Sequence, residues 1–530
     1  MTIEHPQRRY PIGIQTFERV IKEGYVYVDK TAHVYRMTHS ATYCFLCRPR
    51  RFGKSLLSST LRSYFEGRSD LFKGLEIERM EKEWTKYPVL HLDLSMTKNQ
   101  ATPQDMQRTL MILLRDYSKI YGREEDEVTP GTLLRGLIQR AHQQKGRQVA
   151  VIIDEYDAPL LEVLHTDDTL TEYRRILQEF YQPLKAMEPY IRFCFITGIT
   201  KFSQLSIFST INNLRNISLD STYAASCGIT ETELTTTLAP DIALMAQTNE
   251  CTPEEMHTRM KQRYDGYHFA SQSEDIYNPF SLLYALDSHR LDNYWFSTGT
   301  PTYLIRQMQH FRTDITTLDN LEVPAAAFDR PTEAMNDALP LLYQSGYLTI
   351  KEYDTDGDVY LLAIPNQEVR VGFTEGLLPT YVGIESPGVQ VGFALKFWRA
   401  LRKGDIQLAM EQLQAYMAGL PYVEGFKRKL QEVSNAEGFY EWTFYLIFSM
   451  LNVYVQTQVK TAHGRADMVV HMPDATYVFE LKINGTAQEA LQQIDSRGYA
   501  LPYQTDDKPV VKVGIRFCTE SQSIEEWAIG

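Results

Sequence analysis

The 530-residue sequence has few cysteines, no long apolar run and no excess of positive charge. Six scattered cysteines are too few for a disulfide framework, so we expect reduced thiols. No stretch approaches the roughly 20 apolar residues that span a bilayer, and no apolar segment follows the basic N-terminus as it would in a secretory signal. We therefore expect a cytoplasmic protein without a membrane partner.

Charge and length set further bounds. The 54 Lys and Arg residues against 67 Asp and Glu give a formal net charge of −13. This argues against broad attraction to nucleic acid, although a local basic patch could supply it. Single hydrophobic cores stop growing at roughly 250 to 300 residues, so the chain should contain two to four domains. Cys44 and Cys47 form a CxxC, but "TYCFLCR" indicates a buried strand and not half of a metal site.

A basic turn joins an apolar strand to an amphipathic helix in "ATYCFLCRPRRFGKSLLSSTLRSYFEG", residues 41–67. The turn ends in Gly-Lys-Ser, but Arg48 stands where the phosphate-loop pattern GxxxxGK[ST] begins with glycine. In such a loop, amides at the helix start hold an anion, Lys54 neutralises terminal phosphates and Ser55 ligates magnesium. The alternative is a solvated basic turn.

A second apolar strand, in "RQVAVIIDEYDAPL", ends in two acids. We expect Asp154 to hold a nucleotide-bound magnesium ion, and Glu155 to polarise the attacking water as general base. The alternative is a buried strand that ends in a capped turn. "YPVLHLDLS" and "IRFCFITGIT" add two strands, and Thr197 in the latter is either a sensor of the terminal phosphate or a turn residue. Strands that alternate with helices predict an α/β fold with a doubly wound, mostly parallel sheet.

The first half of the chain resembles the predicted AAA-ATPase-like family of bacteria, P-loop NTPases of the additional-strand type. The matching motifs are "YVDKT" (27–31), "RPRRFGKS" (48–55), "IDEYDAP" (153–159), "TGITKFS" (197–203), "CGIT" (227–230), "YDGYHF" (264–269) and "YNPFSLL" (277–283). Members of that family carry arginine in place of the first glycine, so the resemblance implies binding of ATP and Mg²⁺. The residues that we expect at the nucleotide are Arg48, Pro49, Arg50, Arg51, Phe52, Gly53, Lys54, Ser55, Leu56, Asp154 and Thr197, with Ser55 and Asp154 on the metal.

The middle of the chain resembles a winged-helix module. "LPLLYQSGYLTIKEYDTDGDVYLLAIPNQEV" (339–369) gives a helix, a strand, an Asp-Gly turn and a second strand. Such modules bind DNA or act as lids on ATPases, and we favour the lid because Lys351 is nearly alone among acids. The predicted domains are an ATPase-like domain (1–235), a helical and winged-helix-like lid (236–375), a helical connector (376–430) and a C-terminal α/β domain (431–530).

The connector carries two basic clusters, Lys396, Arg399, Arg402 and Lys403, and then Lys427, Arg428 and Lys429. We interpret them as solvated helix faces, with contact to a nucleic-acid backbone as the alternative.

The C-terminal segment "GRADMVVHMPDATYVFELKI" (464–483) predicts two strands around a Pro-Asp turn. Glu480 and Lys482 are two residues apart and share one face of their strand. A two-residue connection places Asp467 opposite Glu480, and a four-residue connection places it opposite Lys482. Either register gathers two carboxylates and a lysine on one face, an arrangement that is costly unless the acids bind a cation. The alternative is a solvent-facing strand with one Glu-Lys pair.

This pattern resembles the PD-(D/E)XK nuclease superfamily, through "AEGFYEW", "GRADMVV", "FELKI" and "ALQQIDSRGYA". The resemblance implies that Glu437 is a helix-borne acid, Asp467 and Glu480 are metal ligands, Lys482 is the catalytic lysine and Gln493 is the polar residue of the next helix. Glu441 stands where related domains often carry histidine. The implied ion is Mg²⁺, with Mn²⁺ as a substitute, and it would activate water for attack on a phosphodiester.

The leading hypothesis is an ATPase coupled to a metal-dependent nuclease that acts on DNA or RNA. The alternative is an ATP-switched interaction module whose nuclease-like domain does not cleave, which the net charge of −6 over residues 431–530 favours. Either form is compatible with a homo-oligomer.

Overall fold

In the computed structural model the chain divides into two compact units. Unit 1 comprises Met1–Trp295 and Glu322–Asn366, and unit 2 comprises Phe296–Leu321 and Gln367–Gly530. The chain therefore passes between the units at three points. The structure describes residues 8–98, 100, 102–161, 163, 167–201, 214–296, 302–311, 313–331, 335–381, 393, 396–397, 399–418, 445–447, 454–461, 464–472, 474–483, 485–504, 508–518 and 523–530.

The strands of these described residues are β1 Tyr43–Cys47, β2 Val89–Asp93, β3 Val149–Asp154, β4 Ile191–Gly198, β5 Arg215–Asn216, β6 Ile229–Thr230, β7 Ile276–Tyr277, β8 Leu321–Val323, β9 Thr349–Asp354, β10 Val359–Ala363, β11 Tyr454–Thr461, β12 Gly464–His471, β13 Thr476–Lys482, β14 Val510–Cys518 and β15 Ser523–Ile529.

The helices of the same residues are α1 Phe17–Lys22, α2 Thr31–Ser40, α3 Lys54–Phe65, α4 Ile77–Met80, α5 Pro103–Tyr121, α6 Pro130–Lys145, α7 Ala158–Leu161, α8 Asp167–Ala186, α9 Glu231–Thr237, α10 Ala239–Thr248, α11 Pro253–Tyr264, α12 Pro279–Ser288, α13 Thr302–His310, α14 Ala325–Phe328, α15 Leu339–Gln344, α16 Gln367–Tyr381, α17 Ile406–Ala418 and α18 Ala487–Ser496. None of the helices in the described part of the chain is long and apolar enough to cross a membrane.

Unit 1 is built on a parallel five-stranded sheet with the order β2-β3-β4-β1-β5. Strands β1 and β3 are buried along their whole length, which fits a parallel sheet that is covered by helices on both faces. Helices α5, α6 and α8 pack on one face, whereas Phe65 of α3 stacks on Phe193 of β4 from the other. The fold class expected from the sequence is confirmed, with β4 inserted between β1 and β3 as in additional-strand ATPases.

The predicted burial of the CxxC is also confirmed. Cys44 and Cys47 lie in β1 and are buried, and all six cysteines are free. Burial raises the pKa of the Cys44 thiol to about 12, so this group is protonated and unreactive at neutral pH.

A three-stranded sheet with the order β8-β10-β9 forms the hairpin module, which we define as residues 322–366. The module runs strand, two short helices, hairpin, as in winged-helix folds. Five of the six residues of α15, the helix before the hairpin, are buried, so α15 has no free face with which to enter a DNA groove. This burial favours the lid interpretation.

Unit 2 contains a mixed sheet with the order β11-β12-β13-β14-β15. Strands β13 and β14 are parallel and are joined by a crossover through α18, while the outer strand pairs are antiparallel. Gly514 of β14 allows α18 to pack closely, because a Cβ on Gly514 would lie 2.2 Å from the Ala487 carbonyl oxygen. Helix α18 therefore covers the face of β13 that carries Glu480.

Candidate functional site

The basic turn wraps around a buried lysine. Strand β1 ends at Cys47 and α3 begins at Lys54, whose Nζ donates to the carbonyls of Arg48 and Pro49 at 3.0 Å each. Gly53 adopts a φ of 94°, a left-handed conformation that costs glycine little. Among the described residues no side chain caps α3, so the amides of its first turn are available to an anion.

Arg48 points into the protein. Its guanidinium donates to the carbonyls of Cys47 (2.8 Å), Ser218 (2.9 Å) and Tyr223 (3.1 Å), and it lies 4.3 Å from the ring centroid of Phe269. The side chain is 2% exposed. Arg48, in the place of the usual glycine, therefore joins the loop to backbone that is distant in sequence. The exposed charges of the turn are those of Arg50 and Arg51.

Aromatic residues from other motifs hold the loop from outside. Phe52 packs edge-to-face against Tyr267 (4.7 Å between centroids) and Phe269 (5.3 Å). The Trp295 indole N–H donates to the Arg50 carbonyl at 3.2 Å. The motif at 264–269 and Trp295 thus support the phosphate loop from behind, which explains how the loop keeps its shape without its first glycine.

The predicted magnesium residues lie together. Asp154 is 3% exposed and accepts a hydrogen bond from the Ser55 hydroxyl. Burial raises the pKa of Asp154 to about 6; the Ser55 hydroxyl and the Lys54 ammonium oppose this rise, whereas Asp93 and Glu155 add to it. The hydroxyl and the buried carboxylate are oxygen donors that suit a hard cation, so the two residues fit a nucleotide-bound Mg²⁺.

Glu155 is held in an unusual conformation. Its φ of 49° is left-handed, which is uncommon for a non-glycine residue and often marks a functional site. The carboxylate is partly exposed and forms an ion pair with Lys98, a residue 57 positions earlier in the chain. Lys98 therefore contacts the residue expected to act as general base, although no sequence pattern had marked it.

The hydroxyl of Thr197 donates to the Leu46 carbonyl at 2.7 Å, and the residue is fully buried in the sheet. Its role as a phosphate sensor stays a prediction. Asp157 lies in the motif "IDEYDAP" but had no predicted role. It is 1% exposed, and its carboxylate accepts from the amides of Ile199 and Thr200 at 3.0 and 2.7 Å.

The second predicted site lies on β12 and β13. Met468 pairs with Phe479, and the Met472 amide donates to the Ala475 carbonyl at 2.8 Å, which is the register of the two-residue turn. Continued by one residue, this register places Asp467 opposite Glu480. The Asp467 carboxylate accepts from the Leu481 amide at 2.8 Å, which fixes it beside β13.

Glu480 is the centre of this cluster. It is 1% exposed; its Oε1 accepts from Gln493 and from Lys482 Nζ, the latter at 3.3 Å. Its Oε2 is buried without a hydrogen-bond partner of normal geometry in the described part of the chain. Burial raises the pKa of Glu480 to about 7, the charge of Asp467 adds to this rise, and Lys482 opposes it.

An unpaired, buried carboxylate oxygen beside a second carboxylate fits a divalent cation, which would satisfy both acids. No group of three or more His, Cys, Asp and Glu side chains suited to a metal occurs among the described residues. Glu437, the helix-borne acid implied by the resemblance, lies outside them, as do Glu441 and the cluster at 427–429. Tyr499 lies in the motif "ALQQIDSRGYA" but had no predicted role; its hydroxyl accepts from Gln493 Nε2 at 3.5 Å.

The first basic cluster lies behind the sheet. Residues 399–402 are helical, and the Leu401 carbonyl accepts from the Tyr477 hydroxyl at 3.0 Å. Tyr477 and Glu480 are three residues apart on β13 and so point to opposite faces. Lys396, Arg399 and Lys403 are exposed, but this packing separates their helix from the face that carries the acids.

Comparison with known proteins agrees with both family resemblances. A family model described as "Predicted AAA-ATPase" matches residues 11–208, and one described as "PD-(D/E)XK nuclease superfamily" matches residues 435–527. An "Uncharacterized protein in vnfD 5'region" of Azotobacter chroococcum mcd 1 is 33% identical over 534 residues, which cover 98% of each chain. The chain therefore belongs to the predicted AAA-ATPase-like family and carries a C-terminal domain of the PD-(D/E)XK nuclease superfamily.

Proposed function

We propose that the protein is an ATPase coupled to a metal-dependent nuclease that cleaves DNA or RNA. The observation that carries this proposal is the cluster around Glu480, in which a second acid, a lysine and a glutamine surround a buried carboxylate; one of its oxygens has no partner among the residues that the structure describes. In a solvent-facing strand with one Glu-Lys pair, that carboxylate would stay exposed, because burial of an ionised acid is unfavourable.

In unit 1, the amides at the start of α3 and the Lys54 ammonium bind the phosphates of ATP. Lys54 releases the carbonyls of Arg48 and Pro49 as it turns to the nucleotide. Ser55 and Asp154 hold Mg²⁺, and Glu155 orients and deprotonates the attacking water after it separates from Lys98.

In unit 2, Asp467 and Glu480 hold the catalytic ion, for which Mg²⁺ or Mn²⁺ is suitable. When bound there, the ion acts as a Lewis acid, which activates water and stabilises charge on the phosphate. Gln493 keeps the Glu480 carboxylate in place, and Lys482 offers its ammonium to the scissile phosphate as negative charge develops.

The test is a cleavage assay on plasmid, single-stranded DNA and RNA with Mg²⁺ or Mn²⁺, in the presence and absence of ATP. Lys482→Ala and Asp467→Ala should each reduce cleavage by at least about 100-fold, as loss of a charge-stabilising group does in other enzymes. Lys508→Ala, a change of another lysine in the same unit, is the matched control and should keep full activity. Cleavage that survives both site substitutions would contradict the proposal.

Two observations favour the alternative of an ATP-switched module that binds nucleic acid or protein without cleavage. Residues 431–530 have a net charge of −6, and the exposed basic cluster at 396–403 lies on a helix behind the sheet. Under this alternative the cleavage assay shows no product with either ion, while a gel-shift assay on the same nucleic acids shows ATP-dependent binding that Lys482→Ala leaves unchanged.

A further inference from the structure

The segment after β4 is fastened to the end of β3. Asp157 Oδ2 accepts from the amides of Ile199 (3.0 Å) and Thr200 (2.7 Å) and from the Thr200 hydroxyl (2.7 Å). The Thr200 carbonyl accepts from the Tyr156 hydroxyl at 2.8 Å. Gly198 leaves no space between these groups, since an added Cβ would lie 2.4 Å from Asp157 Oδ1. The segment must therefore follow any shift of the turn that carries the two acids of the nucleotide site.

The next residue, Lys201, contacts the hairpin module through two different groups. Its amide donates to Gln344 Oε1 at 2.7 Å, and its ammonium pairs with Asp329. The two charged side chains are only 12% and 21% exposed, so the pair is largely shielded from water. Gln344 Nε2 donates to the carbonyls of Phe328 (3.3 Å) and Arg330 (2.8 Å), and thus joins α15, the end of α14 and Lys201.

The hairpin module is joined covalently to unit 2 at both of its ends. Residue 321 precedes the module and residue 367 follows it, and both belong to unit 2. A displacement of the hairpin module therefore also moves the segments of unit 2 that are attached to its first and last residues.

We propose that the contact of Lys201 with Asp329 and Gln344 couples the nucleotide site of unit 1 to unit 2. This inference rests on the proposed function, and it names the route by which ATP controls the second site. A shielded ion pair contributes little net stability, because desolvation offsets attraction, yet separation of its partners leaves an uncompensated charge. Such a contact suits a connection that must hold in one nucleotide state and break in another.

The test uses the full chain and the double substitution Lys201→Gln with Asp329→Asn, which keeps hydrogen-bonding groups and removes both charges. The matched control is Arg62→Gln with Glu66→Gln, an i,i+4 pair at the end of α3 whose side chains are 51% and 32% exposed. Binding of Mg-AMP-PNP is measured by calorimetry, and amide hydrogen exchange is followed in residues 339–366 and 476–518 with and without that nucleotide.

In the wild type and in the control, the nucleotide should alter exchange in both segments. In the Lys201/Asp329 variant, nucleotide affinity should stay within about twofold of the wild-type value, while the change in residues 476–518 falls at least fivefold. The exchanged pair Lys201→Asp with Asp329→Lys should recover that response.

Three results overturn the inference: a full response of residues 476–518 in the neutral variant, no response in a wild type that binds the nucleotide, or loss of binding in the neutral variant. Failure of the wild type to bind Mg-AMP-PNP is a different result, since it contradicts the proposed ATP site itself.

Discussion

Buried charge distinguishes the residues of the two candidate sites from ordinary surface ions. Arg48, Lys54, Asp154 and Glu480 are each at most 6% exposed. Charged side chains are rarely buried so deeply unless partners compensate them. Both terminal nitrogens of Arg48 donate to carbonyls, which leaves its Nε without a partner among the described residues, whereas Glu480 keeps a carboxylate oxygen without one. The former residue is thus suited to hold structure and the latter to bind a ligand.

Glu480→Gln should stabilise the metal-free protein at pH 8 and have little effect at pH 5. The pKa of Glu480 is raised from 4.5 to about 7, so its favourable contribution is fully present below pH 4.5 and is lost as pH rises through 7. Glutamine mimics the protonated form and keeps the acceptor for Gln493. The gain at pH 8 should reach at most about 3 kcal/mol, measured by urea unfolding in EDTA. Equal effects at both pH values would contradict the assigned burial.

Arg48→Lys should destabilise unit 1 by about 2–4 kcal/mol, because a lysine cannot serve three carbonyls in a planar fork. ATP affinity should fall together with stability, because the carbonyls that lose their guanidinium donor are left unpaired next to the phosphate loop. Arg62→Lys is the matched control, because Arg62 lies outside the phosphate loop and its side chain is 51% exposed, so it should tolerate the change. Thermal unfolding and nucleotide titration check both effects, and a stable Arg48→Lys variant would show that the fork is dispensable.

At the level of secondary-structure elements, the phosphate loop depends on packing from distant parts of the chain. A Cβ on Gly346 would lie 2.7 Å from the Cβ and Cγ of Pro49, so the turn after α15 touches the loop. This contact joins the hairpin module to the nucleotide site independently of Lys201.

Gly346→Ala should weaken ATP binding by about tenfold or more, since overpacking of this kind costs about 1–3 kcal/mol and would displace Pro49. Gly146→Ala is the matched control. Gly146 also has a left-handed backbone, with a φ of 62° against 86° for Gly346, but a Cβ there meets nothing within 4 Å. Both variants should lose similar stability from backbone strain, and equal ATP affinities would exclude the proposed displacement.

Local patterns were sufficient to predict β1, β3, β4 and the β12–β13 hairpin, because period, turn chemistry and burial are written in adjacent residues. They could not predict the contact of Lys98 with Glu155 or the acceptors of Arg48, because those partners lie 57, 170 and 175 positions away. The position of the basic helix behind the sheet was likewise a tertiary outcome, set by Tyr477.

For the molecule as a whole, the two units should respond to different ligands. Calorimetry of the full chain should resolve a transition that ATP with Mg²⁺ raises and a second that Mn²⁺ alone raises, because a ligand stabilises the unit that binds it. At a 100-fold excess over Kd the stabilisation is about 2.7 kcal/mol. Lys54→Ala should abolish the ATP response and leave the Mn²⁺ response, and Asp467→Ala should do the reverse. A single transition that both ligands shift equally would contradict separate sites.

The three passages of the chain between units have a consequence for how this protein can be divided. Asp319 belongs to a segment of unit 2 that precedes the hairpin module, and it is bound by Arg370 and by the Tyr445 hydroxyl, which follow that module. A gene fragment that stops at residue 366 would encode this aspartate, whose side chain is only 8% exposed, without either partner. No single cut in the gene therefore yields both an intact unit 1 and an intact unit 2. Recombination at one point in the gene would therefore transfer or lose unit 1 and unit 2 together, so that the two units are inherited as one piece.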